Sequence, residues 1–257
     1  MLWRQTLKEN ILLAGGYFLL LTLTTTLGIW FWPDLRGAIE EWAGIASFFP
    51  IEGLKEVMLR IQEEGYWAYF AVQQFFRGGG VFGVAAAGLL GSGLIAREAD
   101  NRTAEFLLSR PVSRTRILLT RWGVGVVALS LPLLLAAGVG AACSPLVDES
   151  IPLWAALAGA VHTSLFVVAV FSTTVWLSAR STHALQAAIL VLGFMLLQFA
   201  LYLIKVLWHF SAYNLVDLDA MLPLARGVYP WKESAALLVW IGVFVAWAVK
   251  DFKKRDF

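Results

Sequence analysis

The chain has 257 residues, of which 59% are hydrophobic and 15% charged. Soluble domains run nearer about 45–50% apolar and about 25% charged, so the composition excludes an ordinary soluble globule and points to an integral membrane protein. The formal net charge of +2 says little by itself, and the one cysteine, Cys143, excludes an intrachain disulfide framework.

The length accommodates about six helices of about 20 residues each with their connections, and no separate soluble domain. The first span is predicted over residues 11–32, ended by Pro33-Asp34. It lacks a small-residue cleavage site after a short apolar core, so it reads as a retained span rather than a signal peptide. Trp3, Arg4 and Lys8 before it form an interfacial anchor. In the long stretch after it, Ile51, Leu54, Val57, Met58 and Ile61 fall on one helical face, and Glu52, Lys55, Glu56, Arg60 and Glu63 fall elsewhere. This pattern predicts an amphipathic helix on the outer surface, with a gating lid as the sharper alternative.

Residues 66–76 are aromatic and apolar, and Arg77-Gly78-Gly79-Gly80 interrupts them. One helix over 66–96 would be about 46 Å long, against a hydrocarbon core of about 30 Å. A break is therefore expected near residues 78–80, with 66–76 interfacial or re-entrant and the second span over 81–96. Gly79, Gly83, Ala87 and Gly91 recur every four residues, a small-residue stripe that lets helix backbones approach closely. Its partner is a helix of this chain or of a second copy.

Next comes a dense polar insert. Residues 96–116 hold five arginines and three acids. Asp100 or Asn101 can cap a short helix over 103–109, which shows Phe106, Leu107 and Leu108 beside Glu105 and ends at Pro111. Ser113 then caps the third span, 117–142, in which Pro132 is expected to introduce a bend. The fourth span is 152–177, with Pro152 in its first turn; the fifth is 184–207 and the sixth 235–250. Physically the insert reads either as an ordinary basic loop or as a docking element.

With Met1 placed inside, 13 of the 20 basic residues fall on inner segments, whereas 12 of the 18 acids fall outside. Six spans with both termini cytoplasmic fit the positive-inside rule. In this count Arg77 and Lys205 are outer charges, and Lys205 can snorkel from the end of span five. Gln73, Gln74 and Gln198 read as interhelical hydrogen-bonding groups. His162, His183 and His209 lack metal-ligand spacing, and no metal site is expected. No GxxxxGK[ST], HExxH or GxSxG occurs in the chain.

The insert resembles a known family. Arg97-Glu98, then Thr103-Ala-Glu-Phe-Leu-Leu-Ser-Arg-Pro-Val-Ser-Arg114 and Ile117-Leu-Leu119, is similar to the signature of ABC-2 type permeases. That signature is roughly E-x(3–4)-G-T-x-E-x-L-L-S-x-P-x-S-R before an apolar helix. Glu98, Thr103, Glu105, Leu107, Leu108, Ser109, Pro111, Ser113 and Arg114 fit it; Arg102 stands where the family usually has glycine.

The resemblance implies an all-α, six-span ABC-2 permease fold and a transport subunit that is not itself an ATPase. ATP and Mg would be bound by two separate ATP-binding subunits, and a second permease subunit, identical or related, would complete a dimer. Its coupling region at 97–116 would dock the ATPase through Glu98, Arg102, Thr103, Glu105, Phe106, Leu107, Arg110 and Arg114. The setting would be the cytoplasmic membrane of a prokaryote, with lipid around the chain and no nucleic-acid partner, and export is the expected direction. Two other classes stay open: an ATP-independent channel or secondary carrier, and a membrane anchor within a larger complex.

Overall fold

The computed structural model describes residues 2–46, 52–96 and 113–254. Among them every regular element is helical. The helices are α1 (Leu2–Ala46), α2 (Glu52–Glu64), α3 (Tyr66–Ser92), α4 (Arg114–Cys143), α5 (Leu153–Arg180), α6 (Ala184–Leu203), the short α7 (Leu218–Met221) and α8 (Trp231–Lys254). Six of them, α1, α3, α4, α5, α6 and α8, are long and apolar enough to cross a membrane.

In α3 and α5, 67% and 72% of the apolar window is buried within the chain, against 22% in α1, α6 and α8. The bundle is thus built around α3 and α5. α5 packs on α3, α4 and α8, and α1 packs along α4 and α3. The centre is closely filled: Phe75, Phe166, Phe171, Leu129 and Leu133 are fully buried. α1, α6 and α8 present leucine, valine and tryptophan outward, as lipid-facing helices do.

Several expected boundaries move, among them the sixth span, which runs Trp231–Lys254 rather than 235–250. The first span does not end at Pro33, because α1 runs on through it to Ala46. Proline leaves the Ile29 carbonyl without its N–H. The loss is absorbed where tertiary contacts hold the helix. The Tyr69 hydroxyl donates to the neighbouring Gly28 carbonyl at 2.7 Å. On either side of the proline, Trp32 Nε1 donates to Glu149 at 2.9 Å and Arg36 pairs with the same carboxylate.

Nor does the glycine run break the second span. α3 is continuous from Tyr66 and contains a π-helical stretch, Val72–Gly83. The second span is therefore Tyr66–Ser92, and 66–76 is neither interfacial nor re-entrant. Glycine matters here as space. Leu21, Thr163 and Tyr213 press directly on Gly78, Gly79 and Gly80. The Tyr17 and Tyr213 hydroxyls donate to the Gly78 and Gly80 carbonyls at 3.2 and 2.9 Å. The true turn is Gly65, whose φ of +67° reverses the chain between α2 and α3. The fifth span stops at Leu203 rather than 207, because Gln198 turns the chain back: its Oε1 accepts from the Ala212 N–H at 2.8 Å.

The amphipathic helix exists as α2 and caps one end of the bundle. Val57 and Ile61 face the core, and the Leu203 backbone lies within 3.3 Å of where a Cβ on Gly53 would stand. Ion pairs tie α2 to the 204–226 segment: Arg60–Asp219 at 3.2 Å, Glu64–Arg226 at 2.9 Å and Glu56–Lys205 at 3.9 Å. Exposed pairs of this kind contribute about 0–1 kcal/mol each, so apolar seating does most of the holding. Glu56, Arg60, Tyr202, Lys205, Trp208 and Asp217 line a small cavity of about 20 Å³ under this cap.

Asp217 is 3% exposed and caps α7 through its contact with the Ala220 N–H. Burial, then the charge of Asp219, pushes its carboxyl up to about 7. The folded pKa lies above the unfolded value, so the folded state holds more protons between about pH 4 and pH 7. Stability should therefore rise as pH falls through that window, and the cost of the buried carboxylate is fully present above it. Asp217→Asn should raise the thermal midpoint at pH 8 and flatten its pH dependence. Parallel wild-type and variant melting profiles in detergent from pH 5 to 8 would refute this.

Candidate functional site

The expected docking residues Glu98, Arg102, Thr103, Glu105, Phe106, Leu107 and Arg110 lie outside the described residues. The structure does show how both ends of that segment are held. On the entry side the chain leaves α3 through Gly93 and Leu94 and descends into buried Ile95 and Ala96. One hydroxyl organises this exit. Ser178 of α5, fully buried, accepts from the N–H groups of Ile95 and Ala96 at 3.1 and 3.0 Å and donates to the Ser92 carbonyl at 2.7 Å. From α4, Arg121 Nη1 donates to the Leu94 carbonyl at 2.7 Å. These bonds satisfy backbone groups that the end of a helix leaves open.

On the exit side, Ser113 caps α4 by accepting from the Arg116 N–H at 3.3 Å. Arg114, one residue later, donates to the carbonyls of Phe252 and Lys253 at 3.3 Å. Cations are favoured at the C-terminal end of a helix, where carbonyls are unsatisfied and the dipole is negative. Arg114 therefore clamps α4 to the end of α8, and Phe252 is buried beside it. The same end is closed by Asp251, which accepts from Trp176 Nε1 at 3.0 Å and pairs with Arg180 at 3.9 Å. The Arg180 guanidinium also lies 5.2 Å from the centre of the Trp176 ring.

Arg121 carries no site signal in the sequence beyond its charge. Its burial, at 7% exposed, and its carbonyl partner emerge only in the fold. Ser178 carried no signal, being one hydroxyl in an apolar helix.

The small-residue stripe is occupied within the chain. A Cβ on Gly79 would lie 1.9 Å from the Thr163 Cγ2; on Gly83, 2.6 Å from Val167; on Gly91, 2.8 Å from Thr174. Ala87 is fully buried on the same face. The stripe meets the Thr163, Val167 and Thr174 face of α5, so it gives no support to a dimer contact.

The glutamines divide. Gln74 is interhelical: Thr25 of α1 donates to its Oε1 at 2.5 Å, and its Nε2 donates to the Leu133 carbonyl of α4 at 3.4 Å. Gln198 ties α6 to the segment after it. Gln73 is different, because its Oε1 is buried without a partner. Arg77, an outer charge by the sequence count, lies instead near the middle of α3. Lys205 does stand at the capped end, two-thirds exposed, opposite Glu56. His162 is spoken for, its Nε2 donating to the Leu215 carbonyl at 2.7 Å and its Nδ1 lying 2.8 Å from Ser234 Oγ. Among the described residues no three His, Cys, Asp or Glu side chains gather as metal ligands.

Comparison with individually curated proteins found no match. A family model described as ABC-2 family transporter protein matches residues 50–257. That range takes in five of the six spans, the segment from 97 to 112 and both of its anchors. Members of this family are multi-pass membrane components of ABC transporters and associate with ATP-binding subunits. With a match over most of its length and six helices fit to span a membrane, this chain belongs to the ABC-2 transporter family and is a transmembrane permease subunit.

Proposed function

We propose that this permease pairs with a second permease subunit and with two ATP-binding subunits, and exports its cargo from the cytoplasm. The segment 97–112 seats in the ATPase, with Glu98, Arg102, Thr103, Glu105, Phe106, Leu107 and Arg110 at the contact and Arg114 behind it. ATP and Mg belong to the partner chains. The observation that supports this reading most is the double anchoring of the segment. Through Ser178, Arg121 and Arg114 its two ends are bonded into α3, α4, α5 and α8. A displacement imposed on it is therefore felt by four spans at once. ATP binding can bias the bundle only through a difference in affinity for its two states, and a segment whose flanks are bonded to the spans is a means of transmitting that difference.

An ion-coupled carrier is less well supported. Such carriers need exchangeable protons or ions at mid-span. Among the described residues, Arg77 donates to the Thr24 carbonyl and His162 to that of Leu215, and neither forms an ion pair with a carboxylate.

The test is a mild-detergent pull-down of the tagged chain, with identification of what accompanies it. A stoichiometric P-loop ATPase supports the proposal. A solitary membrane protein, under conditions that preserve other such complexes, overturns it. The charge distribution further supports placing both termini, and the segment 97–112, in the cytoplasm; the prokaryotic setting is what the family resemblance implies. A tag inserted after Ile51 should be labelled from outside intact cells, and one after Arg102 only after permeabilisation. The reverse pattern would invert the topology.

A further inference from the structure

α1 and α4 run in the same direction and meet tightly at one level. A Cβ on Gly140 would stand 3.0 Å from the Thr25 Cγ2. Toward their starts the two helices part, and nothing lies within 4 Å of the Cβ position of Gly15. The gap is a groove of about 370 Å³, walled by Gly15 and Phe18 of α1 and by Val127, Ala128 and Leu131 of α4. Asn10, at its open end, is the one polar side chain lining it among the described residues. Water does not fill so apolar a space.

The proportions of the groove select its occupant. It extends from Asn10 to Phe18 along α1 and from Val124 to Leu135 along α4, about 12 and 16 Å at the rise of a helix. That is about half of a hydrocarbon core of about 30 Å, the depth of one leaflet. The groove opens at Asn10, where the first span begins, and closes toward mid-span at Thr25 and Gly140. A helix of a second copy, about 10–12 Å across, would need roughly 1,000 Å³ over that length, and does not fit. One alkyl chain is slim enough.

Charge at the open end indicates what that chain is attached to. Arg116, exposed on α4, stands eleven residues before Val127, about three whole turns. It is therefore in line with the outer rim of the groove, where Val127 is 57% and Leu131 49% exposed. Thr120, half-buried, lies one turn nearer the groove. Arginine at the membrane surface attracts anionic lipid, and its planar fork matches a phosphate. We infer that a phospholipid of the leaflet in which the first span begins is bound between α1 and α4. One acyl chain fills the groove, the ester region lies by Asn10 and Thr120, the phosphate rests on Arg116, and an anionic headgroup is preferred. The inference is independent of the cargo and of the ATPase.

The test uses the full-length chain in lipid nanodiscs that contain phosphatidylglycerol or phosphatidylcholine with a diazirine in mid-chain. Labelled residues are mapped after illumination. Wild type should be labelled at 14–18 and 124–135 well above the exposed face of α6, 189–197. At the groove, phosphatidylglycerol should exceed phosphatidylcholine by about fivefold relative to α6, the preference given by one interfacial arginine. Arg116→Gln should remove that preference and leave phosphatidylcholine labelling unchanged. Gly15→Phe places its ring in open space and should abolish groove labelling by both lipids while sparing α6. Val127→Trp fills the same groove from its rim and replaces Gly15→Phe if that variant is not monodisperse. Even labelling of all lipid-facing helices, or groove labelling that survives filling, would overturn the site. An unchanged preference in Arg116→Gln would overturn the headgroup assignment. A disulfide between two copies of Gly15→Cys would make the groove a subunit interface and remove the lipid from it.

Discussion

Gly79→Leu is expected to leave little correctly packed protein, and Gly79→Ala to lower the thermal midpoint by several degrees. A single Cβ at Gly79 would stand 1.9 Å from the Thr163 Cγ2, far inside van der Waals contact. Thr163 is fully buried on the central helix α5. It is β-branched, so its χ1 has little freedom to move aside. Overpacking of this kind costs about 1–3 kcal/mol, which outweighs the roughly 1 kcal/mol that alanine gains over glycine in a helix. Close packing also matters more here than in water, because lipid provides no hydrophobic drive to hold helix against helix.

Thr163→Ala removes the opposing methyl, together with a buried hydroxyl that has no partner. The double variant should therefore recover much of the loss, the non-additivity expected of residues in contact. Gly193→Ala is the control: nothing lies within 4 Å of its Cβ position, and its midpoint should be unchanged or slightly raised. Detergent-solubilised protein would be heated and the surviving monodisperse fraction measured. Equal midpoints for Gly79→Leu and wild type would show that α3 and α5 do not meet along this stripe.

The second large effect is expected at the proposed ATPase contact. Glu98→Arg should abolish co-purification of the ATPase, and so should Phe106→Asp combined with Leu107→Asp. The first reverses a charge that a docking cleft would have to match, and a like-charge contact costs more than a lost one. The second places two carboxylates where the proposal buries apolar side chains, and an unpaired charge is not readily buried. The sequence places these residues in the polar insert between apolar runs, so labelling after Ile51 and Arg102 should match wild type. Normal ATPase association and stimulation in these variants would remove the coupling assignment while leaving the six-span fold untouched.

The parts legible in the sequence were those governed by local composition. Runs of apolar residues marked every span, and the apolar face of Val57 and Ile61 marked α2. Ser113 announced the start of α4 as a cap, and the motif around Glu98 and Arg114 pointed to the family. The errors share one origin. Pro33 and the Gly78–Gly80 run were read by their local preferences, as a stop and a break. In the fold, Tyr69 and Glu149 support the helix around Pro33, and α1, α5 and Tyr213 close in on the glycines. A local rule describes what an isolated segment would do, whereas tertiary contacts decide what it does.

By itself, then, the sequence determined the membrane class, the number of spans and the family, because hydrophobicity and a contiguous motif are properties of neighbours along the chain. Only the tertiary structure decided that the glycine stripe faces α5, that Ser178 and Arg121 hold the exit from α3, and that Arg77 lies at mid-span. Each of these depends on partners distant in sequence. Ser178 reaches back 86 residues to the Ser92 carbonyl, and Arg77 reaches 53 to that of Thr24. A hydroxyl or a guanidinium acquires its role from the carbonyl it meets, and that meeting exists only once the helices are packed.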